Sequence, residues 1–312
     1  MSVLAVVGPT AVGKSALALA IAEHLHGQGR AAEIVNADSM QLYRGMDIGT
    51  AKASSDEQAR VPHHLLDIWP VTQSASVAQY QDLARATITQ IADRGAVPIL
   101  VGGSGLYVRA VLDHMEFPGT DPLIRQRLEE QAQRDGAAAM HAQLAAVDPA
   151  AAAAILPDNT RRIVRALEVV QLRGSFTATL PAFEYAVPAV QIGLRRDRAC
   201  LDRRVDARAE KMFADGLLTE VRALVAQGLR AGPTASRALG YAQALELLDG
   251  ERDLAQTIAA TQQATRRFVR RQESWFGRDP RVQWLDADAL STDDLAARAL
   301  DHYVAGASTM NQ

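Results

Sequence analysis

The chain has 312 residues, enough for a complete α/β core with a second lobe, and its 33 basic against 36 acidic side chains leave a net charge of -3. That balance excludes a globally basic nucleic-acid binder, so any polyanion must be met by a local patch. A single cysteine, Cys200, excludes an internal disulfide and a cysteine metal site; with no apolar stretch near the ~20 residues of a membrane span and no basic leader, a soluble protein of the reducing cytoplasm is expected.

The apolar run 4–7 reads as a buried strand. Gly8-Pro9-Thr10-Ala11-Val12-Gly13-Lys14-Ser15 follows it directly, and an amphipathic helix over 16–26 comes next. Strand, glycine-bounded loop and helix in that order make a P-loop. Its backbone N–H groups and the helix dipole cradle a polyphosphate, Lys14 adds a mobile charge, and the Ser15 hydroxyl is placed to ligate Mg2+. The motif does not say which phosphate ester is held. Further strands are predicted at 33–36 and 97–101, alternating with helices as parallel βαβ units do. The helix over 77–91 opens at Ser76 with Gln79 at capping-box spacing.

After Phe117-Pro118-Gly119 the pattern changes. Asp121-Pro122, Asp148-Pro149 and Asp158 each open a capped helix, with no strand between them. The run 189–194 returns to the sheet, and 200–276 is helical with breaks at 228–233 and 249–250. A last helix follows Ser291, with Asp294 at capping-box spacing. The predicted fold is therefore α/β, a P-loop-type open parallel sheet flanked by helices. Residues 1–117 and 189–312 form its core, and 118–188 an inserted helical lobe.

Open parallel sheets bind ligands beyond the carboxyl ends of their strands, and two segments qualify. In Asn36-Ala37-Asp38-Ser39-Met40-Gln41-Leu42-Tyr43 a carboxylate emerges from a buried strand, which makes Asp38 the candidate general base, or alternatively a helix cap. In Val101-Gly102-Gly103-Ser104-Gly105-Leu106-Tyr107, Ser104 offers a small hydroxyl beside the bound group, or an N-cap. A P-loop by itself also fits a small-molecule kinase. The run 97–101, however, ends in glycines with no acid to hold magnesium, unless Asp38 does so. His63-His64 points only weakly to zinc, because no further ligand lies at metal spacing.

The P-loop, the block from Asp38 to Lys52, Pro62-His63-His64-Leu65-Leu66-Asp67 and the Ser104 segment together resemble the bacterial tRNA dimethylallyltransferases, also called tRNA isopentenyltransferases. The likeness continues through 159–169, Ala238-Leu239-Gly240-Tyr241 and 265–276, so it spans most of the chain. Ser15 and Ser104 stand where that family more often carries threonine; both keep the hydroxyl. The stretch 237–242 keeps only part of a family segment that contacts RNA.

The resemblance implies transfer of a dimethylallyl group from dimethylallyl diphosphate to the N6 amine of the adenosine 3′-adjacent to the anticodon in tRNA, with diphosphate released and no ATP consumed. It implies Asp38 as the base for that amine, Ser104 as a hydrogen-bonding partner of the amine or of Asp38, and Arg208 with Lys14 and Mg2+ at the leaving group. The target base must leave its stack, with Ser39, Met40 and Gln41 close enough to read its edges. The anticodon stem-loop would be gripped by Arg125 and Arg127, by Asn159, Arg161, Arg162 and Arg165, by Gly240 and Tyr241, and by Arg266, Arg267, Arg270 and Arg271. Arg266 with Arg270 and Arg267 with Arg271 are four apart and share helical faces, which an anionic partner would relieve. A solvated charged face is the plainer account of each cluster. A monomer without membrane attachment is expected.

Overall fold

The computed structural model describes residues 2–177 and 180–310, without the side chains of 307–310. Residues 178 and 179, inside the lobe predicted from sequence, lie outside the described residues. Six strands among the described residues form one sheet: β1 (Val3–Val7), β2 (Ala32–Asn36), β3 (His63–His64), β4 (Val97–Gly102), β5 (Ala189–Arg195) and β6 (Val282–Asp286). Their order is β3-β2-β4-β1-β5-β6 and every pairing is parallel. The P-loop-type α/β fold is thus the one predicted.

Both sheet faces are covered, which is why the strands read as continuous apolar runs. Val3, Ala5 and Val7 of β1 enter one core, and Leu4 and Val6 the other. On the Leu4 side pack Leu17, Ile21 and Leu25 of α1 (Lys14–Gly27). The short α2 (Ser55–Arg60) has no buried residue and is held by a capping box between Ser54 and Glu57. On the Val3 side pack Tyr80, Ala84, Ile88 and Ile91 of α3 (Val77–Asp93), a stripe at the 3.6-residue period of a helix. α4 (Gly105–Leu112) follows β4 on the same side.

The compact unit His114–Glu184 interrupts the core, which comprises Met1–Asp113 and Tyr185–Gln312; each boundary falls four residues before the predicted one. It contains α5 (Pro122–Val147), broken at Gly136 where φ is 80° and ψ 167°, then α6 (Pro149–Ala153) and α7 (Thr160–Arg173). Leu128, Met140, Leu144, Ile155, Ile163 and Leu167 form its own core. Asp121 and Asp148 cap their helices through side-chain oxygens, as predicted. The third cap is Asn159, which accepts from Arg162 N at 3.2 Å, and not the preceding Asp158. An amide oxygen caps as well as a carboxylate, so composition could not choose between neighbours.

The core resumes after β5 with α8 (Arg198–Ala214), α9 (Leu217–Ala226), α10 (Tyr241–Leu248) and α11 (Leu254–Phe276). After β6, α12 (Thr292–Met310) places Leu295, Ala299 and Tyr303 in the Leu4-side core, beneath the Ser291 and Asp294 pairing predicted at its start. Strands β3 and β6 were not predicted: the first has two residues, and the second is an edge strand with two half-exposed positions in five. What matters for the site is that β2, β4 and β1 are neighbours. Their carboxyl ends deliver Asp38, Gly102-Gly103-Ser104 and the P-loop side by side.

Candidate active site

The P-loop turns into α1 at Gly13, whose φ of 115° suits glycine and lets the next N–H groups face inward. Lys14 Nζ donates to Pro9 O at 2.7 Å, a neutral partner that leaves its charge uncompensated by contact. Burial pushes the Lys14 ammonium down to about 8; Asp38 opposes that shift and Arg208 adds to it. Lys14 and Ser15 line a cavity of about 120 Å3 together with Thr10, Asn36, Asp38, Gln41, Thr50, His63, Gly102 and Arg208. Of the P-loop residues foreseen as a phosphate cradle, Thr10, Lys14 and Ser15 therefore share one space with the carboxylate foreseen as a base.

Asp38 sits on a turn built by its neighbours. Asn36 Oδ1 accepts from Asp38 N at 2.8 Å, and Asn36 Nδ2 donates to Asp38 O and Leu65 O. Asp38 Oδ1 accepts from Met40 N at 2.9 Å, so one oxygen braces the turn; no helix starts there to be capped. Ser104 precedes α4 but makes no side-chain cap bond. Its Oγ accepts from Ser39 N at 3.2 Å and donates to Ser39 Oγ at 3.2 Å. Of the two partners expected for Ser104, the target amine or Asp38, Asp38 is not bonded to it, and its hydroxyl pairs instead with the adjacent Ser39. Arg208 donates to Thr50 O at 3.1 Å; burial lowers its pKa, and Asp38 works in the opposite direction.

Thr10, Asp38, Thr50 and Arg208 also line a second cavity, of about 320 Å3. Val205, Ala209 and Met212 of α8, Thr261 and Thr265 of α11, and Met40, Ala238, Leu239 and Phe268 make it largely apolar. The Thr261 and Thr265 hydroxyls donate to the carbonyls of Thr257 and Thr261, so neither is an unmet polar group at the wall. Gly49 and Thr50 belong to a loop held from behind by Glu220, which accepts from the N–H groups of Asp47, Ile48 and Gly49 at 2.7–3.3 Å and from Tyr241 Oη at 2.5 Å. Lys52 Nζ closes the same loop against Tyr43 O, Asp47 and Asp67. Gln41 Nε2 donates to Thr50 O and Ala51 O.

The residues nominated for tRNA divide. Ser39 and Met40 face the larger cavity, whereas Gln41 lines the smaller one and braces its loop. Tyr241 is fully buried on Glu220, and Gly240, at the start of α10, donates to Gln243 Oε1. Arg266 is ion-paired with Asp206, while Arg267, Arg270 and Arg271 are exposed and Arg271 stacks over Phe268 at the rim of the larger cavity, 5.6 Å from the ring centroid. In the unit His114–Glu184, Arg125 and Arg165 converge on buried Glu168, and Arg165 also donates to Pro118 O and Gly119 O. Burial alone would raise the Glu168 carboxyl, but hydrogen bonds from the two arginines outweigh it and hold it below the ordinary range. Arg127 donates to Gln171, Asn159 caps α7, and Arg161 and Arg162 are exposed.

The sequence does not single out Glu220 or Gln272. Gln272 lies within the 265–276 segment among four arginines, and Glu220 carries no local motif and is identified only by what it holds in space. His64 meets Glu33 at 2.6 Å, and among the described residues no group of three or more His, Cys, Asp or Glu could hold a metal ion. No helix among the described residues is long and apolar enough to cross a membrane.

Residues 41–279 match the family described as IPP transferase. Proteins named tRNA dimethylallyltransferase from Salinispora arenicola and Salinispora tropica are 60% and 61% identical, covering 95% and 92% of this chain and 88% of each relative. The crystal structure of the full-length tRNA isopentenylpyrophosphate transferase from Bacillus halodurans is 37% identical with a TM-score of 0.71, over 100% of this chain and 99% of that one. With Thr10, Lys14, Ser15 and Asp38 lining one space, and a match across most of its length, the chain belongs to the IPP transferase family.

Proposed function

We propose that this enzyme is a prenyltransferase that moves a dimethylallyl group from its diphosphate to the N6 amine of the adenosine 3′-adjacent to a tRNA anticodon. The observation that carries this reading is the sharing of Thr10, Asp38, Thr50 and Arg208 by the two cavities: the smaller suits a diphosphate and the larger, mostly apolar one suits a prenyl group meeting an extruded base. The N6–C1 bond forms as the C1–O bond breaks, and the N6 proton passes to Asp38. That amine is a weak nucleophile because its lone pair is drawn into the purine, and it gains strength as its proton leaves. The P-loop amides, Lys14 and Arg208 take the charge that develops on the departing diphosphate.

The donor set also fits Mg2+, a hard cation that keeps several waters and binds through few protein oxygens plus substrate phosphates. Ser15 would hold it, and when bound it neutralises diphosphate charge. Ser104, through Ser39, fixes the turn that carries Asp38. Arg267, Arg270 and Arg271 on α11 and Arg161 on α7 are exposed and would meet phosphates, whereas Arg125, Arg165 and Arg266 are ion-paired within the protein.

The test is to incubate the purified protein with dimethylallyl diphosphate, Mg2+ and unmodified tRNA, and to analyse the nucleosides by mass spectrometry. One dimethylallyl addition to the adenosine beside the anticodon, with one pyrophosphate released, is expected; an unmodified loop, or ATP consumption with no RNA product, rejects the proposal.

A further inference from the structure

Gln272 is 5% exposed on α11, and its amide makes two bonds at once. Its Oε1 accepts from Thr10 N at 2.9 Å, and its Nε2 donates to Gly103 O at 2.8 Å. Thr10 belongs to the phosphate cradle, and Gly103 immediately precedes Ser104, which pairs with Ser39 beside Asp38. One planar amide therefore spans the leaving-group side and the base side of the site. The fit is tight: a Cβ on Gly103 would overlap Gln272 Nε2 and stand 3.1 Å from Gly8 O, so only glycine leaves room for the clamp. The next-door Arg271 lines the rim of the larger cavity, so the clamp joins both loops to the helix that carries the exposed arginines.

We infer that Gln272 is a positioning residue for the transfer reaction, holding the Thr10 loop and the Gly103-Ser104 loop in register so that the base carboxylate and the departing diphosphate stay aligned on the reacting carbon. The inference rests on the transferase reading above. The donor and acceptor ends of an amide differ, so the bonds fix orientation as well as distance. A misplacement of about 1 Å in such a geometry costs roughly 100-fold in rate.

The experiment uses the full chain with Gln272→Met, which keeps length and burial but neither bond, and Gln272→Glu, which keeps an acceptor for Thr10 N–H and turns a carboxylate oxygen toward Gly103 O. Three quantities are read: the dissociation constant of inorganic pyrophosphate with Mg2+, that of unmodified tRNA, and the single-turnover rate of dimethylallyl transfer. Both variants are expected to keep the two dissociation constants within about threefold of the wild type while the rate falls about 100-fold. A purely structural role would raise both dissociation constants and lower the rate together with the folded fraction, and that result overturns the inference. So does a Met variant within threefold of the wild-type rate; if the Met variant does not fold, the Glu variant alone decides by the same criteria. Absence of transfer by the wild type rejects the transferase reading itself, and this inference with it.

Discussion

Lys14 and Arg208 donate to the neutral carbonyl oxygens of Pro9 and Thr50, whereas Arg125 and Arg165 in the inserted unit converge on the carboxylate of buried Glu168. Arg281 in the core follows the second pattern, with Asp113 and Asp279 as partners. A cation matched to a carboxylate has little field left to offer, and its worth lies in the fold. One matched to a carbonyl keeps its charge and bears the cost of partial burial, which is why both Lys14 and Arg208 are shifted toward their neutral forms. The count of basic residues in a segment therefore says little about anion binding. The partner each one already has says much more.

The contrast breaks if the groups of the site that Lys14 and Arg208 share with Asp38 can be removed without loss of chemistry. Asp38→Asn should reduce the single-turnover rate about 1,000-fold, within the range for a lost general base, while tRNA affinity measured by filter binding stays near that of the wild type. Near-normal turnover would remove Asp38 from the mechanism. Arg208→Met comes next, with a rate loss of about 100-fold typical of losing one donor to a developing anion. Its melting temperature should fall little, because no carboxylate within bonding distance is left unpaired. A variant that melts far earlier yet keeps its rate would put Arg208 with the structural arginines.

This division explains how far the sequence could be read. The strand, loop and helix around Lys14 are contiguous, so local pattern locates the P-loop and, through the alternating strands, Asp38 and Ser104 near it. Glu220 and Gln272 act on loops more than 160 residues away, at Gly49 and Gly103, and no periodicity reports such a contact. The arginines were read as a class because spacing shows which face they share but not which carboxylate they meet. Glu168 stands within α7 itself, three residues beyond Arg165, yet its burial depends on α5 packing against α7. β6 escaped notice for a related reason: an edge strand has one neighbour to satisfy, and its half-exposed Gln283 and Trp284 break the apolar run.

On the structural side of the comparison, Glu168→Ala should destabilise the unit His114–Glu184 by about 2 kcal/mol, below the 3–5 kcal/mol of a fully buried pair because Arg125 and Arg165 can turn toward water. The Glu168 carboxyl is held below its unfolded value. Its contribution is therefore complete above the ordinary carboxylate pKa and is lost as pH falls through the lowered one. Hydrogen exchange of α7 amides at pH 7 checks the magnitude, and the same measurement in acid should show wild type and variant converging. Pyrophosphate affinity should not change; if it does, this unit contributes to the cradle and the two classes of cation are not separate.

The smallest effect sharpens the comparison most, because it reads Lys14 directly. With its pKa pushed down to about 8, Lys14 is mostly an ammonium at pH 7 and mostly a neutral amine at pH 9. A bound diphosphate favours the ammonium, so affinity should be greatest below pH 8 and fall by about tenfold for each pH unit above it until the pKa of the complex is reached. Binding near pH 8.5 should then take up a proton, and titration calorimetry in two buffers of different ionisation enthalpy measures it. Lys14→Arg keeps a charge through this range, so its affinity should follow only the titration of pyrophosphate itself. If wild type and Lys14→Arg give the same slope between pH 8 and 9, then Lys14 keeps its proton across that range, and the carbonyl of Pro9 has not left it as desolvated as its position among Asp38, Arg208 and the P-loop requires.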